Sequence, residues 1–147
     1  MTRFYYPSVA LLAITVMLTS TAVASAGERP YHARGTAQFV SPTDFVGSGH
    51  ATHLGRYTEV GSAQFSPTAD PTVLAIDAWS VYTAANGDQL YAVITGELNG
   101  LTGAITATVT YVGGTGRFDD AGGSAALKGQ ILPDGTIAVA VSGTIDY

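Results

Sequence analysis

The stretch Ala104-Ile105-Thr106-Ala107-Thr108-Val109-Thr110-Tyr111-Val112-Gly113-Gly114-Thr115-Gly116-Arg117-Phe118 decides the fold. Its first half alternates strictly: Ile105, Ala107, Val109 and Tyr111 fall on one face, Thr106, Thr108 and Thr110 on the other. A period of two is the mark of a strand with one buried face. The alternation ends in three glycines within four positions. Glycine is the residue that takes φ > 0 without a Cβ clash, so Gly113, Gly114 and Gly116 predict a tight corner. Arg117 and Phe118 leave that corner with one charge and one large apolar anchor. Either Gly114 or Gly116 is expected in the left-handed region.

The same alternation recurs along the chain, and no window carries a 3.6-residue apolar stripe. Eight strands are predicted, over Tyr31–Phe39, Phe45–Leu54, Tyr57–Phe65, Val73–Thr83, Gln89–Leu98, Ala104–Val112, Gly123–Leu132 and Thr136–Tyr147. Asn86-Gly87 and Asn99-Gly100 read as type I′ hairpin dipeptides, and Pro133-Asp134-Gly135 as a turn in which proline presets φ. Proline-marked loops cover Ser41–Asp44 and Ser66–Pro71, and Gly27–Arg34 reads as a loose arm. In the last strand Ile137, Val139, Val141 and Ile145 share a face. The fourth and fifth strands are apolar on both faces: Ile76, Ala78 and Tyr82 oppose Asp77, Trp79 and Val81, while Leu90, Ala92, Ile94 and Leu98 oppose Tyr91, Val93, Thr95 and Glu97. Such strands belong in a sandwich or in a barrel whose outer face is covered as well. Short antiparallel strands with short connections favour an all-β, eight-stranded antiparallel up-and-down barrel, in which closure removes the exposed edges.

The beginning of the chain has a different character. Arg3 precedes an apolar run, Val9–Ala24, that ends in Ala24-Ser25-Ala26. A cationic start, an apolar centre and a small-residue exit make a secretory signal. The run falls short of the about 20 residues a span requires. Residues 1–26 are therefore expected to be a cleaved signal peptide and 27–147 a single domain, secreted or periplasmic. That domain holds Arg29, Arg34, Arg56, Arg117 and Lys128 against eleven acids and has no cysteine. The acidic balance excludes nucleic acid and anionic membrane as general partners. Absence of cysteine excludes thiol chemistry, and no cofactor or metal motif is present.

The corner Tyr111–Phe118, with Ala121 and Gly122 after it, resembles the Gly-Gly-Thr-Gly-x-Phe-x-x-Ala-x-Gly signature of plant dirigent proteins. These share an eight-stranded barrel superfamily with the allene oxide cyclases. The resemblance covers about Leu90 to Tyr147. It implies an eight-stranded barrel, a homotrimer, and a pocket shaped by acids, arginines and tyrosines on other strands; Tyr31–Phe39 here carries no acid. The segment Gly49–Thr58 is similar to one in small exported bacterial proteins.

The residues themselves narrow the chemistry. His50 and His53, at i and i+3, fall on opposite faces of a strand, which disfavours a shared metal. Gly113–Gly116 lacks the Lys-Ser/Thr of a phosphate loop, and Arg117 is expected to hold carbonyls or pair with Asp119 or Asp120. No Gly-x-Ser-x-Gly elbow is present. Asp77, Trp79, Tyr91 and Glu97 are the ligand-binding candidates. Glu97 would be desolvated if it faced a barrel interior, and would otherwise lie in solvent or pair with an arginine. The expected function is an exported barrel that binds a small apolar or phenolic molecule, or a structural surface component, rather than an enzyme. The alternative is a cofactor-free cyclase, isomerase or dirigent-like protein with Glu97 or Asp77 as acid or base. A cavity near about 300 Å³ that is lined by a carboxyl would favour ligand binding or catalysis over a filled barrel. Apolar outer faces on the fourth and fifth strands predict a homo-oligomer, unless the Ser66–Pro71 loop and the Gly27–Arg34 arm cover them.

Overall fold

The computed structural model describes residues 27–147; the expected signal peptide lies outside the described residues. Eight strands run β1 (Arg29–Phe39), β2 (Asp44–Ala51), β3 (Gly55–Pro67), β4 (Val73–Ala84), β5 (Gln89–Asn99), β6 (Ala104–Gly114), β7 (Gly122–Ile131) and β8 (Ile137–Asp146). Each pairs antiparallel with the next, and β8 returns to β1, from Arg29↔Ile145 to Ala37↔Ile137, to close an up-and-down barrel. Among the described residues no helix is long and apolar enough to cross a membrane.

Alternation places one face of every strand inside. Ile105, Ala107, Val109 and Tyr111 of β6 meet Leu90, Ala92 and Ile94 of β5, Leu127 of β7, and Ile137, Val141 and Ile145 of β8 in the interior. Since strands run up and down, the connections divide between two ends. The loops after β2, β4 and β6 share one end with both termini of the described chain, and those after β1, β3, β5 and β7 share the other.

The first end is sealed by the glycine corner. Leu90 pairs with Gly114 but Ala92 with Tyr111, so β6 carries one extra residue, and Gly113 (φ 105°) takes that bulge. Gly116 is left-handed (φ 58°). Gly114 is not; it is glycine because a Cβ there would lie 2.0 Å from the Gln89 carbonyl oxygen. A single 3-10 turn over Gly116–Phe118 then drops Phe118 into the barrel end, fully buried (0% exposed), with its ring 4.9 Å from that of Tyr147. Arg117 pairs with Asp88 at 3.8 Å, not with Asp119 or Asp120, and donates to the His53 carbonyl. The corner is thereby tied to the loops after β4 and β2.

Three local expectations are corrected. Arg29–Arg34 is no loose arm but the paired start of β1. The two Asn-Gly dipeptides do not form type I′ turns: neither asparagine has positive φ, and each acts through its side chain. Asn86 Oδ1 accepts from the Asp88 amide, and Asn99 Oδ1 from the amides of Leu101 and Thr102, inside loops longer than two residues. His53 leaves the strand altogether; it sits in the turn after β2 with φ 71°, its Nε2 2.9 Å from the Pro30 carbonyl oxygen.

Candidate functional site

The four residues singled out from sequence all lie on the outer surface. Asp77 and Glu97 are exposed, Trp79 is 51% exposed, and Tyr91 is half-buried with its hydroxyl donating to Gln89. None reaches the interior, for the reason alternation supplies: each neighbours an inward apolar residue, Ile76, Ala78, Leu90 or Ala92, and Leu98. The interior is instead reached by β3, whose inward set is Tyr57, Glu59, Gly61, Ala63 and Phe65.

Glu59 is the carboxyl of the barrel interior, 7% exposed. Its Oε1 accepts from Ser80 Oγ at 2.6 Å. Register puts it beside Tyr82 of β4 and Gly47 of β2. Gly47 makes the room: a Cβ there would stand 2.8 Å from Glu59 Oε2. Burial among apolar walls raises the Glu59 pKa above the usual carboxylate range, while the hydroxyls of Ser80 and Tyr82 oppose that rise.

Four tyrosines line the same cavity as this carboxyl. Tyr57 and Tyr82 meet edge to face with ring centroids 5.5 Å apart, and the rings of Tyr31 and Tyr111 lie 5.1 Å apart. Desolvation raises the pKa of all four, and the nearby Glu59 charge adds to the rise at Tyr31, Tyr57 and Tyr82; Tyr57 is pushed up to about 12. All four are neutral hydrogen-bonding groups at ordinary pH.

Above this polar floor is a cavity of about 90 Å³. Its walls are Ala33, Ala37, Ala63, Ala78 and Ala107 with Ile76, Ile94, Ile105 and Leu127. Phe39, Phe45 and Phe65 line its outer part, with ring centroids 5.8 and 5.9 Å apart, and Phe65 is 38% exposed. The mouth therefore opens at the end opposite the glycine corner. The carboxyl that lines the cavity is Glu59, whereas Glu97 lies on the outer surface. It is smaller than the roughly 300 Å³ at the low end of ligand pockets, and smaller than the about 150 Å³ of a cavity that holds benzene.

Comparison with protein-family models, curated proteins and solved structures returns no match. These comparisons neither support nor oppose the dirigent resemblance of about Leu90 to Tyr147. Besides the missing acid on Tyr31–Phe39, the cavity differs from the pocket that resemblance implies in its polar groups: one acid and four tyrosines, with no arginine on the wall among the described residues.

A period-two reading from Tyr57 was enough to place Glu59 inward with Ala63 and Phe65. The signal was missed because β3 interrupts its apolar face with Glu59 and Gly61, so it lacks the unbroken alternation of β6.

Proposed function

We propose that the protein is an exported barrel that binds one small apolar or phenolic molecule in its interior. The observation that carries this reading is a buried carboxyl, hydrogen-bonded on one side by Ser80, at the base of an otherwise apolar cavity with an aromatic mouth. Such a pocket takes an apolar body and fixes one polar group. The polar group suited to Glu59 is a hydroxyl or an amine, since a carboxyl can accept from either. At about 90 Å³ the cavity is too small for a ring as it stands, so a single-ring or short-chain ligand requires Phe39 and Phe65 to swing outward as it enters. Native mass spectrometry of protein recovered from its own culture medium tests this. A bound mass of small-molecule size, absent from Glu59→Leu, is expected; an empty wild-type barrel contradicts the reading.

A second reading is a cofactor-free isomerase or cyclase. It is favoured by a carboxyl of raised pKa standing among phenols in a water-poor pocket, an arrangement suited to proton transfer. In that case Glu59 moves the proton and the alanine and isoleucine walls fold the substrate.

The outer surface supports self-association. Val46, Val60, Val81 and Tyr91 form one row across β2–β5, and Trp79 and Val93 lie directly beside it. Val60 and Trp79 are each 51% exposed, so neither the 66–71 loop nor the start of β1 covers this patch. A homo-oligomer, a trimer by the dirigent resemblance, would bury it. Sedimentation equilibrium at tens of micromolar distinguishes an oligomer from a monomer, and Trp79→Ser with Val60→Ser should shift the protein to monomer.

A further inference from the structure

Antiparallel register aligns outward side chains into rows that run round the barrel. One row reads Arg56, His50, Arg34, Ala140, Lys128 across β3, β2, β1, β8 and β7. All four of its basic side chains are exposed. The row collects three of the five Lys and Arg residues of 27–147 in a chain with eleven acids. The first acid on it is Glu97, reached two strands past Lys128 through Thr106. Among the described residues the ion pair within 4.0 Å is Arg117–Asp88, so Arg34, Arg56 and Lys128 have no carboxylate partner among them.

The surface between Lys128 and the pair Arg34 and His50 is hollow. Ala126, Ala140 and Ser142 leave an open groove of about 680 Å³ between Lys128 on one side and Arg34 and His50 on the other. Hydroxyls border the row: Thr36, Ser48 and Thr58 towards the open end, and Thr52 and Ser142 towards the corner, where Ser142 Oγ lies 3.1 Å from His32 Nδ1.

The spacing selects the kind of anion. Neighbouring strands are about 4.8 Å apart, so Arg56, Arg34 and Lys128 recur at roughly 10 Å along a line of roughly 20 Å. A line of single charges fits a linear polyanion better than one compact anion. The row and the two rows beside it hold no Phe, Tyr or Trp, so the platform on which single-stranded nucleic acid stacks its bases is missing. Bordering hydroxyls match a hydroxyl-rich chain. Screening over about 8 Å at physiological salt lets the row act before the acids on the far side of the barrel.

We propose that this outer groove, with the row that continues past it to Arg56, binds an acidic polysaccharide, its carboxylates or sulfates paired with Arg34, Arg56 and Lys128. This site is separate from the barrel interior and stands whether or not the interior holds a ligand. The test is titration of the exported protein with polygalacturonate and with dextran sulfate at several salt concentrations, beside neutral dextran and oligothymidylate. Both acidic glycans should bind and neutral dextran should not, with affinity falling as salt rises. Arg34→Ser with Lys128→Ser should lower the slope of log affinity against log salt by about two, and Arg29→Ser, outside the row, should leave it unchanged. Matching circular dichroism and melting of the double variant verify its fold; if it fails them, Lys128→Ser alone should lower the slope by about one. No binding to either acidic glycan, an unchanged slope in the folded variant, or equal binding of oligothymidylate would overturn the proposal.

Discussion

Replacing Glu59 by Gln should change how stability depends on pH, and in a direction set by burial. An unfolded glutamate titrates near about 4.3. In the barrel the Glu59 value is raised, chiefly by desolvation. Between those two values the native state holds up to one proton more than the unfolded state. Stability therefore falls as pH rises through this window, by at most about 1.4 kcal/mol per pH unit. The contribution is fully present below the unfolded value and lost once pH passes the folded one. Glu59→Gln keeps the shape and a carbonyl oxygen for Ser80 Oγ but cannot ionise. The remaining acids titrate alike in both proteins and cancel in the difference. For a domain of this size 1 kcal/mol corresponds to roughly 4 °C in Tm. The variant should therefore gain on the wild type by up to about 5 °C per pH unit from about pH 4.3, reaching a plateau above the folded value. Thermal melts of both proteins at half-unit intervals from pH 4 to 8 measure this. Parallel Tm curves would refute the reasoning, because they would mean that water reaches the carboxyl as freely in the barrel as in the unfolded chain.

Phe118→Ala should remove the plug of the sealed end and cost about 3–5 kcal/mol, read from urea melts, whereas Phe65→Ala at the open mouth should cost less than about half of that. Gly61→Ala should lower stability by about 1–3 kcal/mol, since its Cβ would meet the Phe45 ring and the Trp79 carbonyl oxygen at 2.4 Å; Gly100→Ala, with 3.4 Å to its nearest neighbour, should melt close to wild type. N-terminal sequencing of the exported protein should return Gly27, or Ser25 for cleavage after Ala24, and Met1 would contradict a cleaved signal.

The fold was legible because alternation is a local property that barrel closure preserves. Ile105 through Tyr111 and Ile137 through Ile145 face inward as period two dictates, and the eight strand positions follow from it. The corner was legible in type but not in detail. Three glycines announce a sharp bend, yet only pairing shows that Gly113 takes the bulge, Gly116 the left-handed turn and Gly114 the close approach to Gln89. The turns at Asn86 and Asn99 misled because a dipeptide does not reveal loop length. The site was the least legible part. Asp77 and Glu97 stand among apolar neighbours in sequence, but those neighbours point the other way. For Glu59 the case is the opposite: period two points it inward, but the space that admits it comes from Gly47, twelve positions earlier, and shows only through pairing. Register rows are likewise invisible before pairing is known, and the line of Arg56, Arg34 and Lys128 appears only once β8 closes on β1.

The proposed binding site is the barrel interior, with Glu59 at its base. The alanines that line it are built-in reporters. Titration of ¹³C-methyl-alanine-labelled protein with benzylamine, benzyl alcohol and toluene tests the claim most directly. Saturable shifts at the methyls of Ala37, Ala63, Ala78 and Ala107 are predicted, with the amine and alcohol binding more tightly than toluene and losing that advantage in Glu59→Leu. Shifts confined to outward methyls such as Ala126 and Ala140, or no saturable shift at all, would contradict it.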